Sequence, residues 1–410
     1  LAAQKKVLIR ADYNVPFAYH QNHTEVADDN RIKVSLPTLK LLVEAKAKLI
    51  LMTHLGRPGG QVDPKLSAQP VAKHLQKLID KPVKFVADCV GPKVEAAVEK
   101  LQPGEILLLE NLRFYPQEKQ NNAKFSKQLA SLADLYVNEA FSTAHRDHAS
   151  ITGVSKLLPS YAGLGFEKEV EALSMLMENP KRPFVMVVGG AKISDKVAAL
   201  TNLTKIADVV LVGGGVANNF LKADGYDVAS SYLQDTPADL KKKGVSYVEV
   251  AKKIIAESKT DRLLKDGYIP LPKIVYPIDV IAARSSKSRK TQQLNLINGY
   301  EKSVKHELMY LDIGEKTIRL FQELILQAKT VFWNGPMGVF EKKLFAHGTQ
   351  EIARAIAKSS ATTIIGGGDT IAAIRQFDLE DRYDYVSAAG GASLEFLSGK
   401  VLPGVKAVQA

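Results

Sequence analysis

Short apolar runs alternate with longer amphipathic segments along the whole chain. In the first half, runs typical of buried strands lie near residues 6–10, 48–53, 83–87, 105–109 and 134–138. Between them lie segments with helical spacing, such as Ser35 to Ala47, where apolar residues recur every three or four positions. Strands that alternate with amphipathic helices are typical of a parallel sheet covered by helices on both faces. The pattern therefore predicts an α/β fold.

The pattern changes after Pro159. The segment from Phe166 to Asn179 has the spacing of one uninterrupted helix, and it ends directly before Pro180. Further strands are predicted near residues 184–188, 208–212, 273–276, 329–333, 362–366 and 384–387. A second α/β unit is therefore expected beyond this helix.

The length of the chain agrees with two units, because 410 residues exceeds the size at which one hydrophobic core usually stops growing. We predict domains over residues 1–165 and 181–389, joined by a helix over residues 166–180. The content of 46% apolar and 24% charged residues is that of an ordinary globular protein. The polar and basic stretch Arg284 to Gln293 is predicted to be an exposed loop.

Charge and cysteine content narrow the possible partners. The formal charge is +11, but the lysines are scattered along helical segments and form no basic tract interleaved with aromatic residues. A nucleic-acid partner is therefore not expected. The single cysteine, Cys89, cannot form an internal disulfide, which fits a reducing compartment. No apolar stretch approaches the ~20 residues needed to span a bilayer, so we expect a cytoplasmic protein with no membrane partner.

Arginine and histidine residues follow the predicted strands of the first half. Ligands of open parallel sheets bind beyond the carboxyl ends of the strands. One arginine there would be read as a surface ion pair, but several at one edge suit a small anion, because guanidinium groups bind phosphate and carboxylate bidentately. The candidate residues are Asp12, Asn14, Arg31, His54, Arg57, Arg113 and Arg146. His54 has three possible roles at this point: a general base, a phosphate ligand or a turn residue. We favour phosphate or hydroxyl binding.

The strands of the second half lead into glycine clusters at residues 189–190, 213–215 and 366–368. These clusters lack the Gly-x-Gly-x-x-Gly fingerprint, since Asn218 stands where the third glycine would be. A dinucleotide oxidoreductase is therefore disfavoured. The Gly399-Lys400 pair is followed by Val401 rather than serine or threonine, which excludes an ordinary P-loop enzyme.

Two features of these glycine clusters indicate a nucleotide. Lys192 and Lys196 are four residues apart, so we predict that they lie on one helix face and point at one polyphosphate. The segment Gly366 to Thr370 offers backbone N–H donors at a helix start, and Asp369 offers a carboxylate able to hold Mg²⁺ on the nucleotide.

Taken in order, these motifs closely resemble those of the phosphoglycerate kinase family of the bacterial type. The resemblance runs from about Lys6 to Lys406, and the motifs that carry it are Lys6 to Pro16, His54 to Pro58, Glu110 to Phe114, Gly189 to Lys192 and Trp333 to Glu341. It implies two Rossmann-like, doubly wound parallel-sheet domains joined by a helix. It also implies a C-terminal tail, about residues 390–410, that returns to the N-terminal domain.

The resemblance further implies an activity and its residues. The reaction would be reversible phosphoryl transfer between 1,3-bisphosphoglycerate and ADP, giving 3-phosphoglycerate and ATP in glycolysis, with Mg²⁺ on the nucleotide, by a monomer that closes its domains. The implied phosphoglycerate ligands are Asp12, Tyr13, Asn14, Arg31, His54, Leu55, Gly56, Arg57, Arg113 and Arg146. The implied nucleotide ligands are Lys196, Gly213, Gly214, Gly215, Gly314, Asn334, Gly338, Glu341, Gly367, Gly368, Asp369 and Thr370. Asp369 would contact Mg²⁺, and Arg31 and Lys192 would stabilise the transferring group.

The chain departs from the family pattern at a few positions. The loop from Pro16 to Arg31 is longer than usual, and Ser142 and Asp147 replace a glycine and an alanine. The dipeptide Ala388-Ala389 replaces Thr-Gly within a Ser-Thr-Gly-Gly-Gly stretch. Two alternatives stay open at this point: a kinase for another small phosphorylated acid, and a catalytically silent binding protein that retains the fold.

Overall fold

A computed structural model describes residues 2–21, 24–235, 244–258, 272–296 and 307–409. The chain divides into two compact units, one formed by Leu1–Glu171 together with Val401–Ala410 and the other by Ala172–Lys400. The division falls inside the helix Leu164–Glu178, close to the helix predicted over residues 166–180. Among the described residues, no helix has the length and apolar character needed to cross a membrane.

The first unit is built on a parallel sheet. Its strands are β1 (Lys6–Arg10), β2 (Phe17–Tyr19), β3 (Thr24–Val26), β4 (Lys48–Met52), β5 (Val83–Val86), β6 (Ile106–Leu109), β7 (Leu135–Asn138) and β8 (Ser160–Ala162). Six of them form the sheet in the order β5-β6-β4-β1-β7-β8, and all neighbours are parallel. The strands β2 and β3 form a separate antiparallel hairpin within the long loop after Pro16. The sequence analysis did not predict β2, β3 or β8, which are three residues each.

Both faces of this sheet are covered. Val7 and Ile9 of β1 pack into a core on one face, whereas Leu8 packs into a separate core on the other. Successive side chains of a strand point to opposite faces, so a strand buried on both faces must be apolar at every position. This explains why a strand such as β1 appears in the sequence as a continuous apolar run.

Helices and short turns connect these strands. They are Asn30–Glu44, Pro64–Leu66, Gln69–Ile79, Pro92–Glu99, Leu112–Phe114, Pro116–Lys119, Ala123–Ala130, Phe141–Thr143 and Ala149–Gly153. The helix predicted over Ser35 to Ala47 begins five residues earlier than expected, because Pro37 lies inside it rather than at its start. As a result Arg31 lies in the first turn of this helix.

The second unit has a parallel sheet of the doubly wound type. Its strands are β9 (Phe184–Val188), β10 (Val209–Val212), β11 (Ile274–Val275), β12 (Asp279–Ala283), β13 (Gln292–Asn295), β14 (Met309–Ile313), β15 (Thr330–Asn334), β16 (Thr362–Gly366) and β17 (Tyr385–Ser387). The parallel order is β11-β10-β9-β15-β16-β17, which is the order 3-2-1-4-5-6 of dinucleotide-binding folds. The strands β13-β12-β14 form an antiparallel sheet that the sequence analysis missed. The loop predicted over Arg284 to Gln293 therefore ends at residue 291, since Gln292 already belongs to β13.

The helices and turns of the second unit are Ile193–Asp195, Val197–Ile206, Gly214–Ala223, Tyr247–Glu257, Glu315–Gln327, Lys343–Phe345, His347–Lys358, Gly368–Gln376, Glu380–Arg382 and Gly391–Leu397. The helix Gly391–Leu397 packs on Val197–Ile206, and Asn202 donates a hydrogen bond to the carbonyl of Leu397 at 2.8 Å. The chain joins the first unit only from Val401, where the short helix Pro403–Lys406 lies and the N–H of Gly404 donates to Ala144 at 2.7 Å. The return predicted at about residue 390 is therefore corrected to Val401.

Candidate functional site

The residues predicted to bind an anion lie at the carboxyl ends of neighbouring strands of the first sheet. Asp12 follows β1, His54 follows β4 and Arg113 follows β6, while the turn Phe141–Thr143 follows β7. The strand β1 pairs with β4 on one side and with β7 on the other, so the chain changes direction along the sheet at β1. Such a switch point is where open α/β sheets form a crevice for ligands.

Asp12 is held by three donors. Arg31 donates from Nη1 to Oδ2 of Asp12, and the hydroxyl of Ser142 donates to the same oxygen at 2.5 Å. The N–H of Asn14 donates to Oδ1 at 3.1 Å. Burial acts to raise the pKa of Asp12, but the positive charge of Arg31 and these hydrogen bonds outweigh it and hold the pKa below its usual value. Asp12 is thus an ionised carboxylate that fixes one corner of the Arg31 guanidinium.

His54 is a buried neutral imidazole. Nη2 of Arg10 lies 3.0 Å from Nδ1 of His54, and because arginine can only donate, Nδ1 accepts and the ring proton lies on Nε2. Burial first, and then the positive charge of Arg10, hold the pKa of His54 well below its usual range. His54 can therefore donate a hydrogen bond from Nε2 to a phosphate or hydroxyl. A base would need that nitrogen free of its proton, so this tautomer does not support the general-base alternative.

Arg10 contacts His54 in the candidate site, but the sequence predicted it only as the last residue of a strand. It is the last residue of β1 and only 1% exposed. Its Nε donates to Ser150 at 2.9 Å, and the Ser150 hydroxyl donates on to the buried carboxylate of Glu118 at 2.6 Å. A buried guanidinium requires such a counter-charge. In the sequence, Arg10 is marked only as an arginine at the end of an otherwise apolar strand. Its carboxylate partner, Glu118, lies more than a hundred residues away.

Asn111 shapes the loop that carries Gly56. Its amide nitrogen donates to the carbonyl of Leu55 at 2.8 Å, and its amide oxygen accepts from the N–H groups of Leu55 and Arg113 at 3.1 and 3.0 Å. Arg113 in turn donates from Nη1 to the carbonyl of Gly56 at 2.6 Å. The loops after β4 and β6 are therefore joined through one buried side chain.

Four guanidinium groups influence one another in this region. Burial, together with the positive charges of Arg10, Arg146 and Arg57, lowers the pKa of Arg113 to about 10, against the opposing effect of Glu118. Arg57 and Arg146 are exposed. Like charges held close together repel, so this cluster favours an anion that neutralises it.

Two of the predicted ligands have a supporting role instead. The side chain of Tyr13 is fully buried, its hydroxyl lies 2.9 Å from that of Ser35, and its N–H donates to Thr53. The side chain of Leu55 is 1% exposed, and both of its backbone polar groups are bound to Asn111. These residues hold the loops in place, and their side chains offer no polar group to a ligand.

Asp147, which adds a negative charge next to Arg146, is engaged by neutral donors. Its Oδ1 accepts from the side-chain amide of Asn121 at 2.8 Å and from the hydroxyl of Thr152. The carboxylate thus anchors the turn Ala149–Gly153 through Thr152, which gives this departure from the family pattern a structural role.

In the second unit, backbone hydrogen bonds join the loops after three strands. The N–H of Gly190 donates to Pro336 at 2.7 Å, that of Gly213 to Val188 at 2.8 Å and that of Gly214 to Met337 at 2.9 Å. A Cβ at residue 189 would lie 2.1 Å from the carbonyl oxygen of Pro336, so only glycine fits there. The glycine clusters therefore allow the loops after β9, β10 and β15 to pack backbone against backbone.

A cleft opens beside these loops. It is lined by Gly190, Ala191, Gly214, Gly215, Asn218, Tyr232, Met309, Tyr310, Leu311, Pro336, Gly338, Val339, Phe340, Glu341 and Asp369. Five of them are predicted nucleotide ligands: Gly214, Gly215, Gly338, Glu341 and Asp369. The aromatic and apolar lining at residues 309–311 comes from β14, which the sequence analysis did not identify. A lining of this kind, with a few polar groups, suits the base and sugar of a nucleotide.

One end of the cleft has the features of a phosphate site. Gly367 has a φ of 93° and directly precedes the helix Gly368–Gln376, whose first turn carries the exposed Asp369. The buried amide nitrogen of Asn334 has no hydrogen-bond partner among the described residues, and a Cβ at Gly367 would lie 3.1 Å from it. A buried donor left open beside a helix N-terminus fits a phosphate oxygen. An exposed carboxylate in that first turn fits Mg²⁺ carried by the phosphates.

The two lysines do not lie on one helix face as predicted. Lys192 is extended, with φ −112° and ψ 122°, and precedes the short 3₁₀ turn Ile193–Asp195. The α-helix begins only at Val197, after Lys196. The prediction was wrong because the tight Gly-Gly turn is followed by a 3₁₀ turn, in which residues four apart are not aligned.

The surroundings of the two lysines also differ. Burial lowers the pKa of Lys196, while the carboxylates of Asp195 and Asp369 act to raise it, so Lys196 lies near the predicted phosphate site. Lys192 is exposed and forms no ion pair with any residue that the structure describes.

Three other predicted nucleotide ligands have structural contacts. The hydroxyl of Thr370 is fully buried and accepts from the N–H of Gly335 at 2.6 Å. A Cβ at Gly213 would lie 2.5 Å from the sulfur of Met337, and one at Gly314 would lie 2.4 Å from the carboxylate of Asp279. Gly213 and Gly314 do not line the cleft, and their close packing accounts for glycine at these positions.

Known proteins resemble this chain over nearly its whole length. The family model described as phosphoglycerate kinase matches residues 2–400. The chain belongs to the phosphoglycerate kinase family. The phosphoglycerate kinase of Pelotomaculum thermopropionicum is 46% identical over 404 residues, covering 98% of this chain and 96% of that protein.

Solved structures give the same result for the fold. The phosphoglycerate kinase structure from Coxiella burnetii superposes with a TM-score of 0.83 at 38% identity and covers 99% of this chain and 96% of its own. The phosphoglycerate kinase structure from Pyrococcus horikoshii has a TM-score of 0.81 at 32% identity, and the match covers 100% of this chain and 96% of that chain. The expected family and the two-domain parallel α/β fold are confirmed. Membership in the phosphoglycerate kinase family implies a phosphotransferase with phosphoglycerate and nucleotide substrates.

The open amide of Asn334 leads to a testable expectation. We expect Asn334→Ala to weaken ADP binding about 5- to 10-fold, since one hydrogen bond to phosphate is lost. The free energy of unfolding should fall less than for a bonded amide, because the amide nitrogen of Asn334 has no hydrogen-bond partner in the part of the chain that the structure describes. Calorimetric titration with Mg·ADP and thermal unfolding measure the two quantities. Asn202→Ala is the matched control, because it breaks the bond to Leu397 and should lower stability with ADP affinity unchanged; the same pattern from Asn334→Ala would contradict the phosphate assignment.

Proposed function

We propose that this protein catalyses reversible phosphoryl transfer between 1,3-bisphosphoglycerate and ADP, giving 3-phosphoglycerate and ATP in glycolysis. The observation that carries the proposal is the division of two ligand-binding chemistries between the units of a phosphoglycerate kinase family member. The first unit presents a guanidinium cluster with a neutral histidine donor, and the second a glycine-lined cleft with an open amide at a helix start.

The chemistry of this reaction suits the groups present. In the ATP-forming direction, an oxygen of the ADP β-phosphate attacks the phosphorus of the acyl phosphate. The bond from phosphorus to the carboxyl oxygen breaks, and the carboxylate of 3-phosphoglycerate leaves with the electron pair. No proton needs to move, because both the attacking phosphate oxygen and the departing carboxylate are ionised at neutral pH. A set of cations and hydrogen-bond donors without a general base is therefore sufficient.

The proposed roles follow from the positions of the charges. Arg57, Arg113 and Arg146 bind the 3-phosphate and carboxylate, and His54 donates from Nε2. Arg31, with one corner held by Asp12, keeps its remaining N–H groups for the substrate. Lys192 has no competing carboxylate among the described residues and supplies charge to the transferring phosphoryl group.

In the second unit, we propose that Lys196, Gly367, Gly368 and the amide of Asn334 bind the nucleotide phosphates. Asp369 would hold Mg²⁺ there, and the metal would supply neutralisation of phosphate charge when bound. Glu341 lies in the cleft lining and would accept hydrogen bonds from the ribose hydroxyls.

Because the two ligand sets belong to different units, we propose that the units approach each other during the reaction, through bending at the helix Leu164–Glu178. Closure would align the phosphates in line and exclude water from the acyl phosphate. Small-angle X-ray scattering should show a smaller radius of gyration with both Mg·ADP and 3-phosphoglycerate than with neither. Identical scattering curves would count against closure.

We also propose a cytoplasmic monomer. The only cysteine, Cys89, is a buried thiol that donates to the carbonyl of Glu110, as suits a reducing compartment. Each predicted ligand set is contributed by this one chain, so catalysis does not require a second copy. Sedimentation should give a mass near 44.8 kDa for the chain.

The function is tested by ATP formation from 1,3-bisphosphoglycerate and ADP with Mg²⁺. We expect turnover that is abolished by EDTA and restored by excess Mg²⁺. Binding of both ligands without ATP formation would favour a catalytically silent binding protein. Faster turnover with another acyl phosphate in a substrate panel would favour the other alternative, a different phosphorylated acid.

A further inference from the structure

We propose that Ser142 is a positioning residue for phosphoglycerate: its hydroxyl fixes the Asp12 carboxylate, which in turn fixes the guanidinium of Arg31. The inference rests on the proposed function and adds a residue to its machinery. Ser142 stands in the turn Phe141–Thr143 directly after β7, whereas Asp12 stands in the loop directly after β1. The hydrogen bond between them joins the loops after β1 and β7, which are neighbouring strands of the first sheet.

Two donors share one oxygen of the Asp12 carboxylate. Oδ2 of Asp12 accepts both from Ser142 and from Nη1 of Arg31. A carboxylate oxygen has two acceptor positions, so these bonds occupy both and fix the direction of each. Oδ1 accepts from the N–H of Asn14. The carboxylate is therefore held at both ends, and rotation about its last torsion would break a bond at each.

Burial prevents solvent from replacing the hydroxyl easily. The side chain of Asp12 is 10% exposed, while that of Arg31 is 35% exposed. The inner end of the ion pair is thus held by protein, and its outer end faces solvent and is available to a ligand. Without the Ser142 hydroxyl, Asp12 would have one acceptor position open in a buried setting, and Oδ2 could turn away from the direction that suits Arg31.

The turn that carries Ser142 also places a second cation of the cluster. The N–H of Arg146 donates to the carbonyl of Thr143 at 2.9 Å. The Ser142 bond therefore ties Asp12 and Arg31 to the same turn that carries Arg146. A short rigid connection of this kind sets the spacing between two guanidinium groups that must bind one small anion.

The test compares Ser142→Ala and Ser142→Thr with the wild type. Ser142→Ala should weaken 3-phosphoglycerate binding about three- to tenfold in calorimetry without nucleotide, and raise its KM to match, with Mg·ADP affinity unchanged. Ser142→Thr keeps the hydroxyl and should restore at least half of the lost affinity. Ser131→Ala is the matched control, since it removes an exposed hydroxyl of the same unit that donates to the carbonyl of Gln128 at 2.9 Å.

A pH profile distinguishes positioning from a merely structural role. The titratable groups that face Asp12 are the guanidinium of Arg31 and the neutral imidazole of His54, and the Ser142 hydrogen bond also helps to keep the pKa of Asp12 low. Loss of that bond raises this pKa, so Asp12 takes up a proton and releases Arg31 at a higher pH. The acid limb of kcat/KM for phosphoglycerate should therefore shift to higher pH in Ser142→Ala and return in Ser142→Thr.

Three results would overturn the proposal. One is wild-type phosphoglycerate affinity and an unmoved acid limb in Ser142→Ala. Another is an equal loss of affinity for both ligands together with a lower unfolding temperature, which would indicate damage to the fold. A wild-type protein that forms no ATP would overturn the proposed function and this inference together, whereas an active wild type with an unaffected Ser142→Ala would overturn this inference alone.

Discussion

Replacement of Lys192 by alanine is expected to lower kcat about 10²-fold or more while leaving the KM of Mg·ADP within about twofold. The reason is that Lys192 is exposed and unpaired among the described residues, so its charge is available to the transferring phosphoryl group. Charge placed where the transition state develops it contributes to turnover more than to ground-state binding. Coupled assays of ATP formation, with both substrates varied, measure the two constants.

Lys222→Ala is the matched control for Lys192, because it removes an exposed lysine from the helix Gly214–Ala223 in the same unit. Its kcat should equal that of the wild type. A Lys192 variant whose only defect is a raised KM for the nucleotide would show that this lysine binds the ground state, and its catalytic assignment would then be wrong.

Arg31→Ala is expected to lower kcat about 10²-fold and to weaken phosphoglycerate binding, with nucleotide affinity unchanged. One guanidinium corner is fixed by Asp12 and the side chain is 35% exposed, so the fork is pre-oriented for a ligand. Arg31→Lys keeps the charge but loses the planar fork, and we expect it to recover only part of the activity. Steady-state kinetics and calorimetry with 3-phosphoglycerate measure these effects.

Lys33→Ala is the control for Arg31, since Lys33 lies on the same helix and its side chain, 54% exposed, forms an ion pair with Asp29. It should be nearly silent, as exposed ion pairs contribute little. Full activity of Arg31→Lys would mean that charge alone suffices and that the fork geometry inferred from Asp12 has no role.

Strands with a local apolar pattern were predicted from the sequence, and strands without one were missed. The β1 run was predicted at residues 6–10 and found at Lys6–Arg10, because a strand buried on both faces must be apolar throughout. The strand β13 was missed because its residues, Gln292–Asn295, are mostly exposed and polar, so no apolar pattern marks it. The helix was predicted only from Ser35, so the place of Arg31 in its first turn was not foreseen.

Some site residues were likewise predicted from local motifs, whereas the roles of others needed the structure. Motifs identified the strand ends and the glycine loops, since a glycine or an arginine after a buried strand is visible within ten residues. The roles of Tyr13 and Leu55 needed the structure, because whether a side chain faces a ligand or the core depends on neighbours from other strands. Local pattern also could not predict the buried partners of Arg10, or that Asp12 accepts from both Arg31 and Ser142.

The sequence by itself determined the α/β class, the two units, the sheet edges at which the candidate site residues lie, and the family. These follow from periodicity and from motifs, which are local properties of the chain. Only the tertiary structure decided which arginine is paired, which histidine nitrogen carries the proton, which glycines line the cleft and which amide is left open. Each of those depends on contacts between residues far apart in sequence, such as Asp12 with Ser142, and on the burial that makes such contacts strong.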